Sequence, residues 1–379
     1  MDLQEVRNRI DVIDDEIAKL YANRMELALD VAKAKAQSGA PVENLERERQ
    51  ILSRVASAMP DEVKLYGKQV FGTMFETSKA YQYSVLNINS QIKDDIRASI
   101  ESGVKPFPVQ ASVGCQGIEG AYSYIAADKM FEIPSISCFR TWEGVFSAVE
   151  HGMCEFGVLP IENSTVGSVV GVYDLMKKHK FYIARSYKLR VKHCLLTKNG
   201  VELKDIKEVV SHEQALAQCS EFLKQLGGVK ITKCDNTGMA AQMIADRERY
   251  DVACIASRDC ASLYGLKVLQ SDINDSNSNY TRFIAINKQL KVYEGANRIS
   301  IAANLAHEAG SLNRLLNKFS ALGLNLTKIE SRPIADSPFE FKFYFDFEAD
   351  VRDSAVQNLI AEIANKAEDF EFLGAYEEL

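Results

Sequence analysis

From Leu3 onward, apolar residues recur at three- and four-residue intervals: Leu3, Val6, Ile10, Ile13, Ile17 and Leu20. That spacing is the period of an α-helix and excludes a strand. No Gly or Pro interrupts the chain before Gly39-Ala40-Pro41, so a long first helix is predicted, and the rest of residues 1–101 reads as helical too. The stripe is not apolar throughout. Continued, it passes through Arg24, Leu27, Val31 and Lys35. Arg24 and Lys35 are then about three turns, or roughly 16 Å, apart on nearly the same face. A later stripe of Phe71, Met74 and Phe75 runs on to Ser78, Gln82 and Val85, again with polar residues where apolar ones are expected. Charges buried without partners are costly, so such residues need interior partners. Two readings stay open: an internal ion pair with Glu48 or Glu26, or a bound anion to which Arg47 and Glu48 add a cation and a carboxylate. Arg7 lies about 260° around the first helix from Arg24, so it is better placed to reach a partner subunit's site than its own.

The remaining sequence divides in two. Ser102-Gly103-Val104-Lys105-Pro106-Phe107-Pro108 is a linker by composition. Residues 109–290 alternate β-branched runs with helical stretches, the pattern of an α/β fold with much parallel sheet. Its informative points are strand-to-helix turns: Glu162-Asn163-Ser164-Thr165-Val166-Gly167-Ser168, Ser211-His212-Glu213-Gln214 and Asp235-Asn236-Thr237-Gly238. Ser211 and Gln214 have capping-box spacing. Helix N-termini at such turns attract anions, and in open α/β sheets they gather at one crevice. Residues 297–379 read as a small βαββαβ unit of the ferredoxin-like kind, with strands at 298–305, 325–334 and 339–347, helices at 310–322 and about 353–367, and a short final strand.

Several function classes recede. A formal net charge of −7 disfavours a dedicated nucleic-acid binder. No apolar run approaches a membrane span, and no secretory signal is evident at the start, which points to the cytoplasm. The eight cysteines form no Cys-x-x-Cys pair or zinc spacing and read as reduced, mostly buried side chains. Gly114-x-x-Gly117-x-x-Gly120 has the wrong spacing for a dinucleotide fingerprint. No metal or cofactor is expected.

Taken together, the helical motifs resemble the AroQ-type chorismate mutases: Val-Arg7-Asn-Arg-Ile, Asn-Arg24-Met-Glu-Leu-Ala, Ala-Lys35, Pro41-Val-Glu-Asn44-Leu-Glu-Arg47-Glu48-Arg and Ser78-x-x-x-Gln82. The middle region is similar to the prephenate dehydratases through Gly117-Ile-Glu-Gly-Ala-Tyr122-Ser, Pro160-Ile-Glu162-Asn163-Ser164, Ser211-His-Glu-Gln-Ala-Leu-Ala-Gln, Leu263-Tyr-Gly-Leu and Asn279-Tyr-Thr281-Arg282-Phe283. Ala309-Gly310-Ser311-Leu312 and Glu330-Ser331-Arg332-Pro333 resemble the ligand motifs of that family's ACT domain. The order of modules is that of bifunctional chorismate mutase–prephenate dehydratases.

The resemblance implies specific roles. Arg24 and Arg47, with Arg7 of the partner subunit, would hold the carboxylates of chorismate. Lys35 and Gln82 would bond its ether oxygen, and Glu48 its ring hydroxyl, with Ser78 nearby; Asn44 departs from a common Asp. In the dehydratase, Thr281 would meet the departing hydroxyl of prephenate. Glu162 is read as the proton source, Asn163 and Ser164 as substrate contacts, and Arg282 as a neutralising charge or a structural ion pair. Gly310, Ser311, Leu312, Glu330, Ser331, Arg332 and Pro333 would bind phenylalanine as an inhibitor. The fold implied is a helical mutase domain, a two-lobed dehydratase like periplasmic binding proteins and an ACT domain, in a homodimer or higher homo-oligomer. Two rivals stay open: a phenylalanine-responsive sensor that has lost its chemistry, and a dehydratase acting on arogenate.

Overall fold

The computed structural model describes residues 2–379 apart from 39, 41, 87, 88, 309 and 335–339, and apart from the side chains of Ser84 and Val85. The parts of the sequence patterns that fall on Gly39, Pro41, Val85, Ala309 and Phe339 therefore lie outside what is described. Contacts divide the chain into two compact units. One joins residues 1–100 with 298–372, and the other joins 101–297 with 373–379.

The first region is helical as predicted: α1 (Leu3–Ser38), α2 (Leu45–Ser57), α3 (Lys64–Val85) and α4 (Gln91–Glu101). Asn44 caps α2, its side chain accepting the Arg47 amide at 2.9 Å. The α1 stripe does not face a core of its own chain. Leu20 is 68% exposed, Leu27 64% and Ile17 54%. The α3 stripe is covered, with Phe75, Ser78 and Gln82 all buried.

The second unit begins with β1 (Gln110–Gln116), α5 (Tyr122–Met130), β2 (Ile133–Phe139), α6 (Trp142–Glu150), β3 (Phe156–Asn163), β4 (Gly167–Ser168), α7 (Val170–His179) and β5 (Tyr182–Arg190). It continues with β6 (Cys194–Thr197), β7 (Glu208–His212), α8 (Glu213–Ala217), α9 (Ser220–Leu226), β8 (Lys230–Cys234), α10 (Thr237–Asp246), β9 (Val252–Ala256), α11 (Arg258–Leu263), β10 (Lys267–Gln270) and β11 (Tyr280–Asn287). Two sheets result, ordered β5-β11-β3-β1-β2 and β10-β6-β9-β7-β8. Each is mixed. β1 pairs in parallel with β2 and β3, and β7 with β8 and β9, whereas β11 and β6 bring antiparallel neighbours. The chain enters the second lobe after β5 and returns to the first through β11, so residues before and after that excursion become neighbours.

One local expectation is corrected. Ser211 does not cap α8; it is still in β7, buried, with its hydroxyl donating to Ile255 O at 2.6 Å. The strand runs one residue further, and His212 caps instead, its ring accepting the Gln214 amide at 3.3 Å.

The C-terminal elements are β12 (Arg298–Asn304), α12 (Ser311–Ala321), β13 (Asn325–Pro333), β14 (Phe341–Glu348), α13 (Ser354–Lys366) and β15 (Phe370–Glu378). Their βαββαβ order and the β13-β14-β12-β15 sheet order put α12 and α13 together, and both pack on α3. The end of β15 belongs to the second unit, where Glu377 and Glu378 pair with Arg185 and Ser186 of β5.

Candidate functional sites

The helical site is built along α1, the start of α2 and the middle of α3. Arg24 leans on α3, donating to Met74 O at 3.3 Å with its guanidinium 5.6 Å from the Phe75 ring centre. Lys35 Nζ donates to Val42 O at 2.5 Å. Burial lowers the Lys35 pKa; the Glu48 charge opposes that and the Lys79 charge adds to it. Glu48 therefore faces Lys35 without a direct ion pair between them. Gln82 is buried on α3, its Nε2 within reach of Ser78 O and Oγ at 3.3 and 3.4 Å, and its Oε1 has no partner. Arg47 is exposed beside Gln50. Neither Arg24 nor Lys35 forms an ion pair among the described residues, so the internal-pair alternative finds no support at these two cations. Arg7 stays apart, exposed, about 25 Å along α1 from Arg24.

The second site is a cavity of about 380 Å³ between the two lobes of the α/β unit. Asn163 and Thr281 line it and are direct partners on antiparallel β3 and β11. Backbone amides fix the orientation of the Asn163 side chain: Oδ1 accepts from Thr165 N at 3.0 Å and Val166 N at 3.1 Å. Its Nδ2 must then donate, and it reaches Asn279 Oδ1 at 3.0 Å, Tyr280 O at 3.2 Å and Thr281 Oγ1 at 2.9 Å. Thr281 Oγ1 is thereby an acceptor toward the protein. Its own proton has no acceptor among the described residues and is free for the cavity.

The same polarity propagates. With Oδ1 occupied, Asn279 Nδ2 donates to Gln218 Oε1 at 2.9 Å. Gln218 Oε1 also lies 3.1 Å from His193 Nε2, which must carry the proton. Burial pushes the His193 pKa down to about 4, against the Gln218 bond, so the ring is neutral and Nδ1 is a bare acceptor. The Tyr122 hydroxyl has one proton and two acceptors within reach, Lys192 O at 2.8 Å and this Nδ1 at 3.0 Å. Gln218 Nε2 is buried, has no partner and belongs to the cavity wall.

Among the described residues no Lys or Arg lines this cavity. Partial positive charge at the wall comes from helix N-termini: Ala121, Val169 and Asn236, which cap α5, α7 and α10, all line the cavity, and α5 and α7 begin without a side-chain cap. Asp235 is the one carboxylate on the wall among the described residues.

Two expectations are corrected. Glu162 and Arg282 alternate with Asn163 and Thr281 along their strands and so face away from the cavity. There Arg282 is buried, 3.0 Å from Glu162 and 3.8 Å from Glu378. Glu162 is thus not placed to protonate a ligand beside Thr281, and Arg282 is held as a structural ion pair. Ser164 is also off the wall: its hydroxyl donates to Ser278 O at 2.7 Å and accepts from Tyr280 N at 2.9 Å, tying the β3 turn to β11. His193 went unnoticed in the sequence because it lies between strands with no turn motif. Gln218 and Asn279 sat within motifs but carried no signal of facing each other.

In the C-terminal region, Gly310, Ser311 and Leu312 open α12, and Glu330–Pro333 end β13. Glu330 pairs with Lys328 at 2.9 Å, and Arg332 lies 5.8 Å from the Tyr344 ring centre.

Comparison with known proteins agrees with this division. The chorismate mutase type II family model matches residues 6–83, and the prephenate dehydratase family model matches 113–291. A bifunctional chorismate mutase/prephenate dehydratase of Escherichia coli K12 is 30% identical over 99% of this chain and 96% of its own length. The chain belongs to that bifunctional family. An arogenate dehydratase/prephenate dehydratase from Arabidopsis thaliana is 36% identical over 79% of this chain and 80% of its own. Among solved structures, a prephenate dehydratase from Arthrobacter aurescens in complex with L-Phe superposes with a TM-score of 0.63 at 26% identity, covering 70% of this chain and 89% of that one. The helical site of this family member is thus its mutase region, and the two-lobed cavity lies in its dehydratase region.

Proposed function

We infer that the chain carries out two consecutive steps of phenylalanine biosynthesis: rearrangement of chorismate to prephenate, then decarboxylating dehydration of prephenate to phenylpyruvate. The observation that carries this reading is that one chain holds both equipped sites, and that its bifunctional relative aligns across nearly its whole length.

The first reaction needs no nucleophile. It needs the compact conformer of chorismate held in place and donors aimed at the breaking C–O bond. We assign Lys35 and Gln82 to the ether oxygen and Glu48 to the ring hydroxyl. Arg24, Arg47 and Arg7 of the partner subunit take the carboxylates. Asn44 serves the site through its cap on α2, and Ser78 by holding the Gln82 amide. The exposed apolar stripe of α1 and the remoteness of Arg7 both support a dimer in which α1 covers its copy's stripe.

In the second reaction the ring hydroxyl and the carboxylate leave as water and CO2, and the ring becomes aromatic. Thr281 donates its free proton to the departing hydroxyl, because Asn163 has taken up its acceptor side. Asp235 is the acid placed to return protons to the cavity. The carboxylates of prephenate are received at the N-termini of α5 and α7, whose caps Ala121 and Val169 line the cavity. The βαββαβ region is assigned as an ACT domain that binds phenylalanine at Gly310–Leu312 and Glu330–Pro333 and restrains the enzyme. The cysteines, all unpaired, fit a reducing cytoplasm.

The test is to follow chorismate to phenylpyruvate with and without phenylalanine. Consumption of neither chorismate nor prephenate would sink the enzyme reading and leave a phenylalanine sensor. A second reading, turnover of arogenate, is favoured by the name of the Arabidopsis relative and is separated by comparing rates on the two dehydratase substrates.

A further inference from the structure

Beside the mutase site, α3 buries a second lysine that the assigned chemistry does not use. Lys79 is only 5% exposed, and three carboxylates surround its ammonium. Glu76 Oε1 lies at 2.6 Å, Glu48 Oε1 at 3.1 Å and Glu43 Oε1 at 3.6 Å. The other Glu76 oxygen is buried without a hydrogen-bond partner among the described residues, so its one direct ion pair there is with Lys79. Burial disfavours the charged ammonium, but the bonds and charges of Glu76 and Glu48 outweigh it and hold the Lys79 pKa above the ordinary value. Lys79 therefore stays charged beneath Glu48.

The cluster does not end there. Glu43 turns its other oxygen to Lys366 of α13 at 2.6 Å. Lys366 also pairs with Glu362 at 3.0 Å, and Glu362 holds Lys318 of α12. An unbroken run of ion pairs thus joins Glu48 to both helices of the C-terminal region, all within one compact unit. Lys35, Lys79, Lys366 and Lys318 balance Glu48, Glu76, Glu43 and Glu362, four charges against four, so altering one redistributes the rest.

We propose that Lys79 is a positioning residue of the mutase, fixing the Glu48 carboxylate toward the ring hydroxyl of chorismate, and that Lys366 sets how firmly it does so through Glu43. The proposal rests on the mutase reading of the helical site. Glu48 otherwise has a half-buried, rotatable side chain at the start of a helix. An ammonium beneath it selects one rotamer and keeps it an acceptor. When Lys366 occupies Glu43, Lys79 leans toward Glu48. When Lys366 is withdrawn, Glu43 competes for Lys79 and Glu48 loosens.

The full-length protein tests this, with mutase and dehydratase rates measured on the same preparations. Lys79→Met should lower mutase kcat at least tenfold with a smaller change in KM, and leave dehydratase kcat within twofold. Lys79→Arg should recover most of the loss, which a purely space-filling role would not permit. Because Lys79→Met strands three carboxylates and can unfold the region, the decisive variants lie further out. Lys366→Met should lower mutase kcat about threefold, and Glu43→Gln should abolish that effect, so that Glu43→Gln/Lys366→Met matches Glu43→Gln alone. Wild-type protein that turns over no chorismate overturns the mutase reading and this inference with it. An active wild type with additive Glu43 and Lys366 effects, or with Lys79→Arg no better than Lys79→Met, overturns the inference alone.

Discussion

Replacing Thr281 by Val is the sharpest test of the dehydratase geometry, because the structure fixes what is lost and what is kept. Valine keeps the volume and removes only the hydroxyl. In the folded protein Asn163 Nδ2 has two protons and three acceptors, so losing Thr281 Oγ1 leaves one proton each for Asn279 Oδ1 and Tyr280 O. No buried donor is orphaned, and the stability change should stay within about 1 kcal/mol, a shift of under about 4 °C in Tm for a unit of this size. The chemistry loses its one oriented donor to the departing hydroxyl. Removing a single preorganised donor typically costs about 10²–10³ in rate, or about 3–4 kcal/mol. Phenylpyruvate formation from prephenate should therefore fall at least a hundredfold in kcat, while chorismate consumption by the same protein is unchanged. Asn163→Asp should be nearly as damaging although Thr281 is intact. A carboxylate there only accepts, so the Thr281 proton turns inward and leaves the cavity. Thr281→Val within fivefold of wild type, or Asn163→Asp near full activity, would refute the polarity argument.

Other outcomes follow from the same geometry. Lys35→Ala should abolish mutase activity and spare the dehydratase; loss of both together would contradict separate sites. His193 has a folded pKa of about 4 against about 6.5 unfolded, so its unfolded form binds the extra proton. Stability from this residue is complete above about pH 6.5 and is lost as pH falls toward 4, by roughly 3 kcal/mol. His193→Gln should flatten the decline of Tm between pH 7 and 4.5, and an unchanged decline would refute it. On the dimer proposed above, Ile17→Glu with Leu20→Glu should yield a monomer by sedimentation and abolish mutase turnover; an active monomer would place Arg7 outside the site.

Much of this was legible in the sequence, and the limit is set by distance along the chain. Helical periodicity located α1 and α3 and marked Ser78 and Gln82 as polar groups in a buried stripe. It could not tell a stripe that meets its own core from one left for another copy, since both satisfy the same period. It gave no sign of Glu76 and Lys79, which are buried where α12 and α13 pack on α3. In the α/β unit, strand alternation alone separates Asn163 and Thr281 from Glu162 and Arg282, and it was the motif, not the period, that suggested treating them as one set.

The relation between Thr281 and Asn163 shows why motifs and chemistry differ in what they encode. A threonine hydroxyl is too weak an acid to act by pKa. Its usefulness here depends on which way its proton points, and that is decided by two backbone amides, Thr165 and Val166. Their hold on Asn163 Oδ1 sets Nδ2 against Thr281, and the same orientation passes through Asn279 to Gln218 and His193. Each member is replaceable by a residue of similar size that cannot keep the donor sequence. Burying such a network is unfavourable unless every link is satisfied, and in this network the unfilled links, Gln218 Nε2 and the Thr281 proton, are the ones at the cavity wall. A bound dianion with a hydroxyl to lose is the ligand that completes both.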